Sequence, residues 1–175
     1  MVRYADDFVI LCRSEAEARA ARAEVQAWTT SAGLTLHPTK TRIVDARQSG
    51  GFDFLGYHFE AGRRWPRAKS QKKLQDKIRA MTRRTQGQSL LVIITELNRT
   101  LRGWFEYFKH SHHSTFTALD KWLRMRLRSL LRRRQGRPGR GRGADHQRWP
   151  NAFFAALGLF SLKAAHALAC QSSRR

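Results

Sequence analysis

Residues 3–10 read Arg3-Tyr4-Ala5-Asp6-Asp7-Phe8-Val9-Ile10, two β-prone segments separated by a pair of aspartates. An acidic turn between such segments is typical of a β-hairpin, and the apolar residues of the second segment continue to Cys12. We therefore predict a strand, a tight turn and a second strand over residues 2–12. The turn would hold the carboxyl groups of Asp6 and Asp7 beside each other.

Adjacent carboxylates on a hairpin turn can present hard oxygen ligands to Mg²⁺ at the edge of a rigid sheet. Two-metal phosphoryl transfer uses such ligands to hold the attacking and leaving oxygens in line. The other interpretation is that Asp6 and Asp7 are ordinary turn residues, solvated and inert. The aromatic residue before the pair and the apolar strand after it favour the first interpretation.

The rest of the first 60 residues predicts one helix and several short strands. Ser14-Glu15-Ala16-Glu17 has the pattern of a capping box, so we expect a helix to begin there and to end at Gly33. We expect its buried stripe to consist of Ala21, Val25, Trp28 and Ala32. The remaining expectations are short strands at 34–36 and 41–44, and a bent strand or hairpin over 52–59 with Gly56 at the bend.

The pattern changes to helical periodicity after a linker at 61–68. We predict helical stretches at about 69–86, 89–109 and 115–134. The apolar stripe of the second consists of Ile94, Leu97, Leu101, Trp104 and Phe108, and that of the third of Leu119, Trp122, Leu123, Leu127, Leu130 and Leu131. Basic residues of the third helix recur at helical spacing on its other side, namely Lys121, Arg124, Arg128 and Arg132.

An Arg/Gly-rich segment follows at 136–148, and we expect it to be flexible until it binds a partner. Order returns at Trp149-Pro150, and residues 149–175 are expected to form a closing segment and a basic tail. The sequence thus predicts an α+β chain with antiparallel hairpins and one helix in residues 1–60 and an all-helical domain over 69–135.

Charge is distributed unevenly along the chain. Its 34 Lys and Arg residues outnumber 13 Asp and Glu residues, giving a formal net charge of +21. Residues 1–60 hold seven basic and eight acidic residues, whereas residues 61–175 hold 27 and five. A polyanion is the natural partner of the second part, because each phosphate contact releases condensed counterions. Nucleic acid is favoured over an acidic membrane surface, since no apolar run is long enough to span a bilayer.

The thiols and imidazoles do not predict a metal centre. Cys12 and Cys170 lack a second Cys or a His at metal-ligand spacing, which is typical of a reduced, cytoplasmic protein. The run His110-Ser111-His112-His113 also lacks an ordered ligand pattern, so we expect a polar loop, here near phosphate.

Tyr4-Ala5-Asp6-Asp7 resembles the catalytic hairpin of reverse transcriptases, and the chain is similar to the C-terminal part of a bacterial group II intron reverse transcriptase/maturase. The likeness continues in the family's order through most of the chain. The motifs that carry it are Gly33-Leu34-Thr35-Leu36, Lys40-Thr41, Phe54-Leu55-Gly56-Tyr57, Leu97-Asn98-Arg99, Leu101-Arg102-Gly103-Trp104, Tyr107-Phe108, Leu119-Asp120-Lys121-Trp122, Arg126-Leu127-Arg128, Trp149-Pro150-Asn151 and Gly158-Leu159-Phe160-Ser161-Leu162.

The resemblance implies a truncated palm subdomain in residues 1–60 and a helical thumb, the maturase-specific domain X, after it. It makes Asp6 and Asp7 the catalytic ligands of Mg²⁺, with Mn²⁺ as an alternative. Residues implied to lie near the nucleotide or primer are Tyr4, Ala5, Lys40, Phe54, Leu55 and Gly56. Residues expected to bind RNA are Lys121, Arg124, Arg128, Arg132, Arg133, Arg137, Arg140 and Arg142.

The same resemblance exposes a gap, because the family's polymerase site needs a further aspartate from an earlier palm strand and fingers that close on the nucleotide. Asp45 and Asp53 are the nearest candidates, and neither matches. We therefore expect no polymerisation by this chain alone. Three hypotheses remain. The first is RNA-templated DNA synthesis on an RNA template and DNA primer, by a fuller protein or with a separate N-terminal fragment. The second is a maturase module that binds intron RNA and promotes splicing, and the third is a non-functional truncated reading frame.

Overall fold

The predicted order, strands first and helices after, is confirmed in the computed structural model, which describes residues 1–85 and 87–172. The α+β class is therefore correct. The chain divides into two units, Met1–Arg63 (unit 1) and Arg64–Arg175 (unit 2). The expected basic tail at Arg174 and Arg175 lies outside the described residues.

The first predicted hairpin consists of β1 (Val2–Tyr4) and β2 (Asp7–Val9). The strands are antiparallel, with Val2 opposite Val9 and Tyr4 opposite Asp7. The two-residue turn is Ala5-Asp6, so the two aspartates differ in position: Asp6 lies in the turn and Asp7 begins the second strand.

The helix predicted after the first hairpin is α1 (Glu15–Ser31), and its ends follow the sequence signals. The Ser14 hydroxyl accepts a hydrogen bond from the backbone N–H of Glu17 at 3.2 Å, as expected for an N-cap. At the other end Gly33 adopts φ +70°, and the N–H of Leu34 donates to the carbonyl of Thr29 at 2.8 Å. This pattern is a Schellman motif, which satisfies carbonyls that the helix end would leave unpaired.

The predicted buried stripe of α1 is only partly correct. Ala21 and Val25 are half-buried, but Trp28 is 63% exposed and Ala32 is also exposed. The buried position is instead Thr29, whose hydroxyl donates to the carbonyl of Val25 at 2.9 Å. Because that bond satisfies the hydroxyl inside the helix, a threonine can be buried where the hydrophobic pattern pointed to tryptophan.

The strands predicted at 34–36 and 41–44 are wrong, because neither segment is a strand in this structure. A strand requires a neighbour that completes its ladder of hydrogen bonds, and neither segment pairs with one. The apolar residues that suggested these strands are left partly in solvent, with Leu34 and Ile43 both exposed.

The second hairpin is confirmed as β3 (Phe52–Phe54) and β4 (Tyr57–Glu60), joined at Leu55-Gly56. Both turn residues have positive φ, +47° and +79°, a conformation typical of a two-residue hairpin turn and favourable for glycine. The rings of Phe52 and Phe59 stack across the strands with centroids 5.2 Å apart. The segment 61–68, predicted as a linker, contains β5 (Arg63–Pro66), which spans the boundary between the two units.

The helices of unit 2 are α2 (Ala68–Met81), α3 (Leu90–Phe108), α4 (His113–Arg134), α5 (Ala144–Arg148), α6 (Asn151–Ala156) and α7 (Leu162–Ser172). The predicted helix 69–86 ends early, with Thr82 at its C-cap. Most residues of the apolar stripes predicted for α3 and α4 are buried, whereas Trp104, Trp122 and Leu131 are half-buried beside the core. The closing segment joins this core through Trp149, Phe154 and Leu162. None of the helices in the described ranges has the length and apolar character needed to cross a membrane.

Two polar side chains attach the closing segment to this core. The buried Asp120 carboxylate accepts hydrogen bonds from the Ser161 hydroxyl at 2.7 Å and from the backbone N–H groups of Leu162 and Lys163 at 3.1 and 3.2 Å. It therefore caps the first turn of α7. Asn98 donates to the carbonyl of Gly158 and accepts from the N–H of Phe160, both at 2.7 Å.

Candidate nucleic-acid interface

The carboxylates of Asp6 and Asp7 are both exposed on the first hairpin. Each is accessible to solvent and to a ligand approaching the turn. Among the described residues, no group of three His, Cys, Asp or Glu side chains is arranged to hold a metal ion.

A Mg²⁺ ion in proteins is often held by one or two carboxylates, with water and substrate phosphates completing its octahedral coordination. Asp6 and Asp7 supply side chains of the type that this pattern uses, and their role as metal ligands stays a prediction. They do not form a complete protein cage, so further ligands would have to come from a nucleotide or from other residues.

The other residues expected near the nucleotide or primer lie in three separate segments of unit 1. Tyr4 and Ala5 lie on the first hairpin beside the aspartates, and both are exposed. Lys40 is an exposed residue of a turn in the loop between α1 and β3. Phe54 ends β3, and Leu55 and Gly56 form the turn of the second hairpin; all three are half-buried. Their proposed roles stay predictions.

The basic side predicted for α4 does not form a uniform outer face. Lys121 is exposed, but Arg124 is half-buried, with a terminal nitrogen 3.8 Å from the Asp120 carboxylate. Arg132 donates to Asp145 and to the carbonyl of Pro138, both at 2.8 Å.

Arg128 departs furthest from the expected arrangement, because it is only 4% exposed. Its guanidinium donates to the carbonyl of Trp149 and to the side chain of Asn151, both at 2.9 Å, and lies over the ring of Phe154. Helical spacing correctly gave the side of α4 on which Arg128 lies. It could not show that residues 149–154 would cover that side.

The Arg/Gly-rich segment 136–148 is also more ordered than expected, since its second half packs on α4. Gly141 is buried, and its N–H donates to the Ser129 hydroxyl at 3.0 Å. A Cβ at Gly141 would lie 2.5 Å from the Cβ of Arg128, so glycine is what permits this close approach. Asp145, at the start of α5, accepts from the N–H of Arg142 at 3.0 Å. That bond, followed by the charge of Arg132, holds the pKa of Asp145 below its usual range.

Four of the predicted RNA-binding arginines remain exposed at the end of α4 and in the segment after it. They are Arg133, Arg137, Arg140 and Arg142. Together with Lys121 they are the members of the predicted set that a ligand in solution can reach.

A second group of exposed cations lies on α2 and was missed by the sequence analysis. Lys69, Lys73 and Lys77 recur every four residues, and all three are exposed on the helix that buries Leu74 and Ile78. We call these three residues the α2 lysine row. Their spacing is visible in the sequence, and an i, i+4, i+8 test applied to charged as well as apolar residues would have found them.

Most of the acidic residues of unit 2 are already engaged within the unit. Asp120 and Asp145 are buried in the contacts described above, Asp76 pairs with Arg79 at 2.5 Å, and Glu106 pairs with Lys109. The exposed basic residues therefore keep a positive field that few neighbouring carboxylates reduce.

Two protein families match the chain in the order of its two units. Residues 1–59 match the family described as reverse transcriptase (RNA-dependent DNA polymerase). Residues 71–149 match the family described as group II intron, maturase-specific domain. A search of curated proteins found no match.

The two matches, a reverse transcriptase segment followed by a maturase-specific domain, support a reverse transcriptase/maturase lineage for the chain. More particularly, the order of the two matches is consistent with the C-terminal part of a group II intron reverse transcriptase/maturase. The resemblance drawn from the sequence motifs is thereby confirmed.

Proposed function

We propose that unit 2 binds group II intron RNA through its exposed basic residues and so promotes folding of the intron for splicing. The observation that carries the proposal is that the residues matching the maturase-specific domain form a folded helical body with many exposed cations and few free carboxylates.

The physical basis is the exchange of counterions for protein cations on a phosphate backbone. Each Lys or Arg that contacts a phosphate releases condensed ions, so affinity falls as salt rises. The α2 lysine row and Arg133, Arg137, Arg140 and Arg142 offer such contacts. The arginines can bind phosphate oxygens bidentately, and the lysines act as point charges.

The test is the affinity of the chain for a fluorescently labelled group II intron transcript, measured over a series of salt concentrations. Replacing Lys69 and Lys73 with Gln should weaken binding by about tenfold and reduce the salt slope by about 1.5, the value expected for two phosphate contacts. A matched control is the double substitution Arg22→Gln and Arg42→Gln, which removes two exposed charges from unit 1. An affinity that does not depend on salt would overturn the proposal.

A second candidate function is supported by the exposed Asp6-Asp7 hairpin within the reverse transcriptase match. In this proposal the two carboxylates contribute to a Mg²⁺ site for RNA-templated DNA synthesis on an RNA template and a DNA primer. Ligands beyond these two would come from a separate N-terminal reverse transcriptase fragment. The metal would stabilise charge on the transferred phosphoryl group, and Mn²⁺ is an alternative ion.

Primer extension tests this second function. The chain alone should extend no primer, because two carboxylates do not complete the coordination needed at two metals. Addition of a fragment carrying fingers and the earlier palm aspartate should restore extension, and Asp6→Ala should abolish it. Extension by the chain alone, or restored extension that survives Asp6→Ala, would contradict this account.

A further inference from the structure

Three arginines converge where α2 ends against the middle of α4. Arg79 lies in the last turn of α2, Arg84 in the loop after it, and Arg126 on α4. The guanidinium carbons of Arg79 and Arg126 lie over the indole ring of Trp122, 5.6 and 5.5 Å from the ring centroid. The sequence analysis assigned no role to these arginines.

Arg126 is held in one orientation by the end of α2. Its Nε donates to the Thr82 hydroxyl at 2.8 Å, and one terminal nitrogen donates to the Thr82 carbonyl at 3.2 Å and approaches the Arg79 carbonyl at 3.5 Å. Thr82 is itself buried and donates to the carbonyl of Ile78 at 2.7 Å. These contacts use one side of the guanidinium, and its other terminal nitrogen has no hydrogen bond to a described residue.

The cluster carries more positive charge than its neighbours neutralise. Burial lowers the pKa of Arg126, and the positive charges of Arg79 and Arg84 lower it further. Asp76 pairs with Arg79, but no hydrogen bond or ion pair joins Arg84 to a described residue. Like charges brought this close repel one another, and a bound anion would relieve that repulsion.

We propose that Arg79 and Arg126, which lie over Trp122, and Arg84 in the loop after α2 form a preformed binding site for a backbone phosphate of intron RNA. The inference rests on the proposed RNA-binding function and gives one part of that interface a defined location. Arg126 is already ordered by the protein, so binding costs less side-chain entropy there than at a lysine in solvent. Arg84 is exposed and makes no hydrogen bond to a described residue, so its side chain can turn toward a phosphate oxygen.

The experiment compares two arginines that lie in different surroundings. Arg84→Gln removes a charge from the cluster without breaking a hydrogen bond to any described residue, and Arg79→Gln/Arg84→Gln removes two charges. The control is Arg148→Gln, because Arg148 is an exposed arginine over a tryptophan ring, with its guanidinium carbon 5.4 Å from the Trp149 centroid, at a different place in unit 2. Affinity for the labelled intron transcript is measured at several salt concentrations, and thermal unfolding is recorded for each variant.

We expect Arg84→Gln to weaken binding by about threefold and the double variant by about tenfold. The slope of log affinity against log salt concentration should fall by the amount expected for about one lost phosphate contact in the single variant and about two in the double variant. Arg148→Gln should change affinity by less than about twofold, as expected for loss of one distant charge. Arg84→Gln should not lower the melting temperature, because it removes repulsion and no contact.

Equal effects of Arg84→Gln and Arg148→Gln, with normal binding by the unsubstituted chain, would overturn this site and leave the proposed function standing. Absence of salt-dependent binding by the unsubstituted chain would instead overturn the proposed function. If the double variant unfolds, the single Arg84→Gln comparison decides the question.

Discussion

Unit 1 and unit 2 bury their side chains to very different extents. Every buried hydrophobic residue among the described positions lies between Leu74 and Leu162, within unit 2. In unit 1 the buried positions of the described chain are Thr29 and Gly51, while Tyr4 and Trp28 are exposed. Because apolar burial is the main favourable term in folding, unit 2 should hold most of the stability of the chain.

The two units also differ in the kind of candidate functional residue that each carries. The aspartates of unit 1 lie on an exposed two-stranded hairpin, whereas the α2 lysine row and Arg133 lie on helices with a filled core. A site that requires positional precision needs a rigid scaffold, and electrostatic contact with a phosphate backbone is more tolerant. The proposed RNA binding by unit 2 therefore demands less positional precision than the proposed metal site of unit 1.

Removal of the Asp120 carboxylate should have the largest effect on unit 2. Asp120→Ala leaves the Ser161 hydroxyl and the N–H groups of Leu162 and Lys163 without their acceptor, and we expect a loss of about 3 kcal/mol in the free energy of unfolding. Urea denaturation followed by circular dichroism measures it. Asp76→Ala is the control, since Asp76 is half-exposed in an ion pair with Arg79 and should change stability by less than about 0.5 kcal/mol. Equal losses in the two variants would show that α7 does not depend on this cap.

Packing of the Arg/Gly-rich segment on α4 can be tested at one glycine. Gly141→Ala would bring a methyl group to within 2.5 Å of the Arg128 Cβ, so we expect destabilisation by about 2 kcal/mol. Gly103→Ala is the matched control, because nothing lies near its added Cβ and the residue is within α3. Alanine there should stabilise the protein by about 0.5–1 kcal/mol. If Gly141→Ala were neutral, the segment would be as flexible as its composition suggested.

A smaller, pH-dependent effect is expected at His166 of α7, whose ring packs against Phe116 with centroids 4.7 Å apart. Burial lowers the pKa of His166 from its usual 6.5, and the charges of His113, His112 and His110 lower it further. A backbone hydrogen bond to Ser111 acts in the opposite direction and raises this pKa. On acidification the unfolded chain takes up this proton first, so the folded state loses stability as pH falls through 6.5 and below. Urea midpoints at pH 7.5 and 5.5 should therefore differ less for His166→Phe than for the unsubstituted chain. If the urea midpoints of the two chains changed with pH by the same amount, His166 would be excluded as the source of the pH dependence.

Sequence patterns predicted the local structure well where a single element determines it. The caps of α1, the turn at Leu55-Gly56 and the apolar stripes of α3 and α4 all depend on neighbours along the chain. The errors arose where distant segments decide the outcome. The strands at 34–36 and 41–44 have no partner strand, and Arg128 is covered by residues more than 20 positions away.

The candidate site residues also divide into those whose placement follows from local sequence and those whose placement depends on distant segments. The first hairpin was predictable because hairpin signals are local, although its turn is Ala5-Asp6 and Asp7 already belongs to the second strand. The convergence of Arg79, Arg84 and Arg126 was not, because it depends on how α2 meets α4. Asn98 and Asp120, which were recognised only as parts of family motifs, prove to be structural contacts to the closing segment.

Hydrogen–deuterium exchange of the full chain, with and without intron RNA, tests the central claim most directly. Without RNA we predict the slowest exchange at the amides of α3 and α4 and the fastest in the hairpins of unit 1, because local opening follows the density of buried contacts. RNA should slow exchange in α2 and residues 133–142 and leave β1 and β2 unchanged. Stronger protection in unit 1 than in unit 2, or RNA protection confined to the first hairpin, would contradict the account.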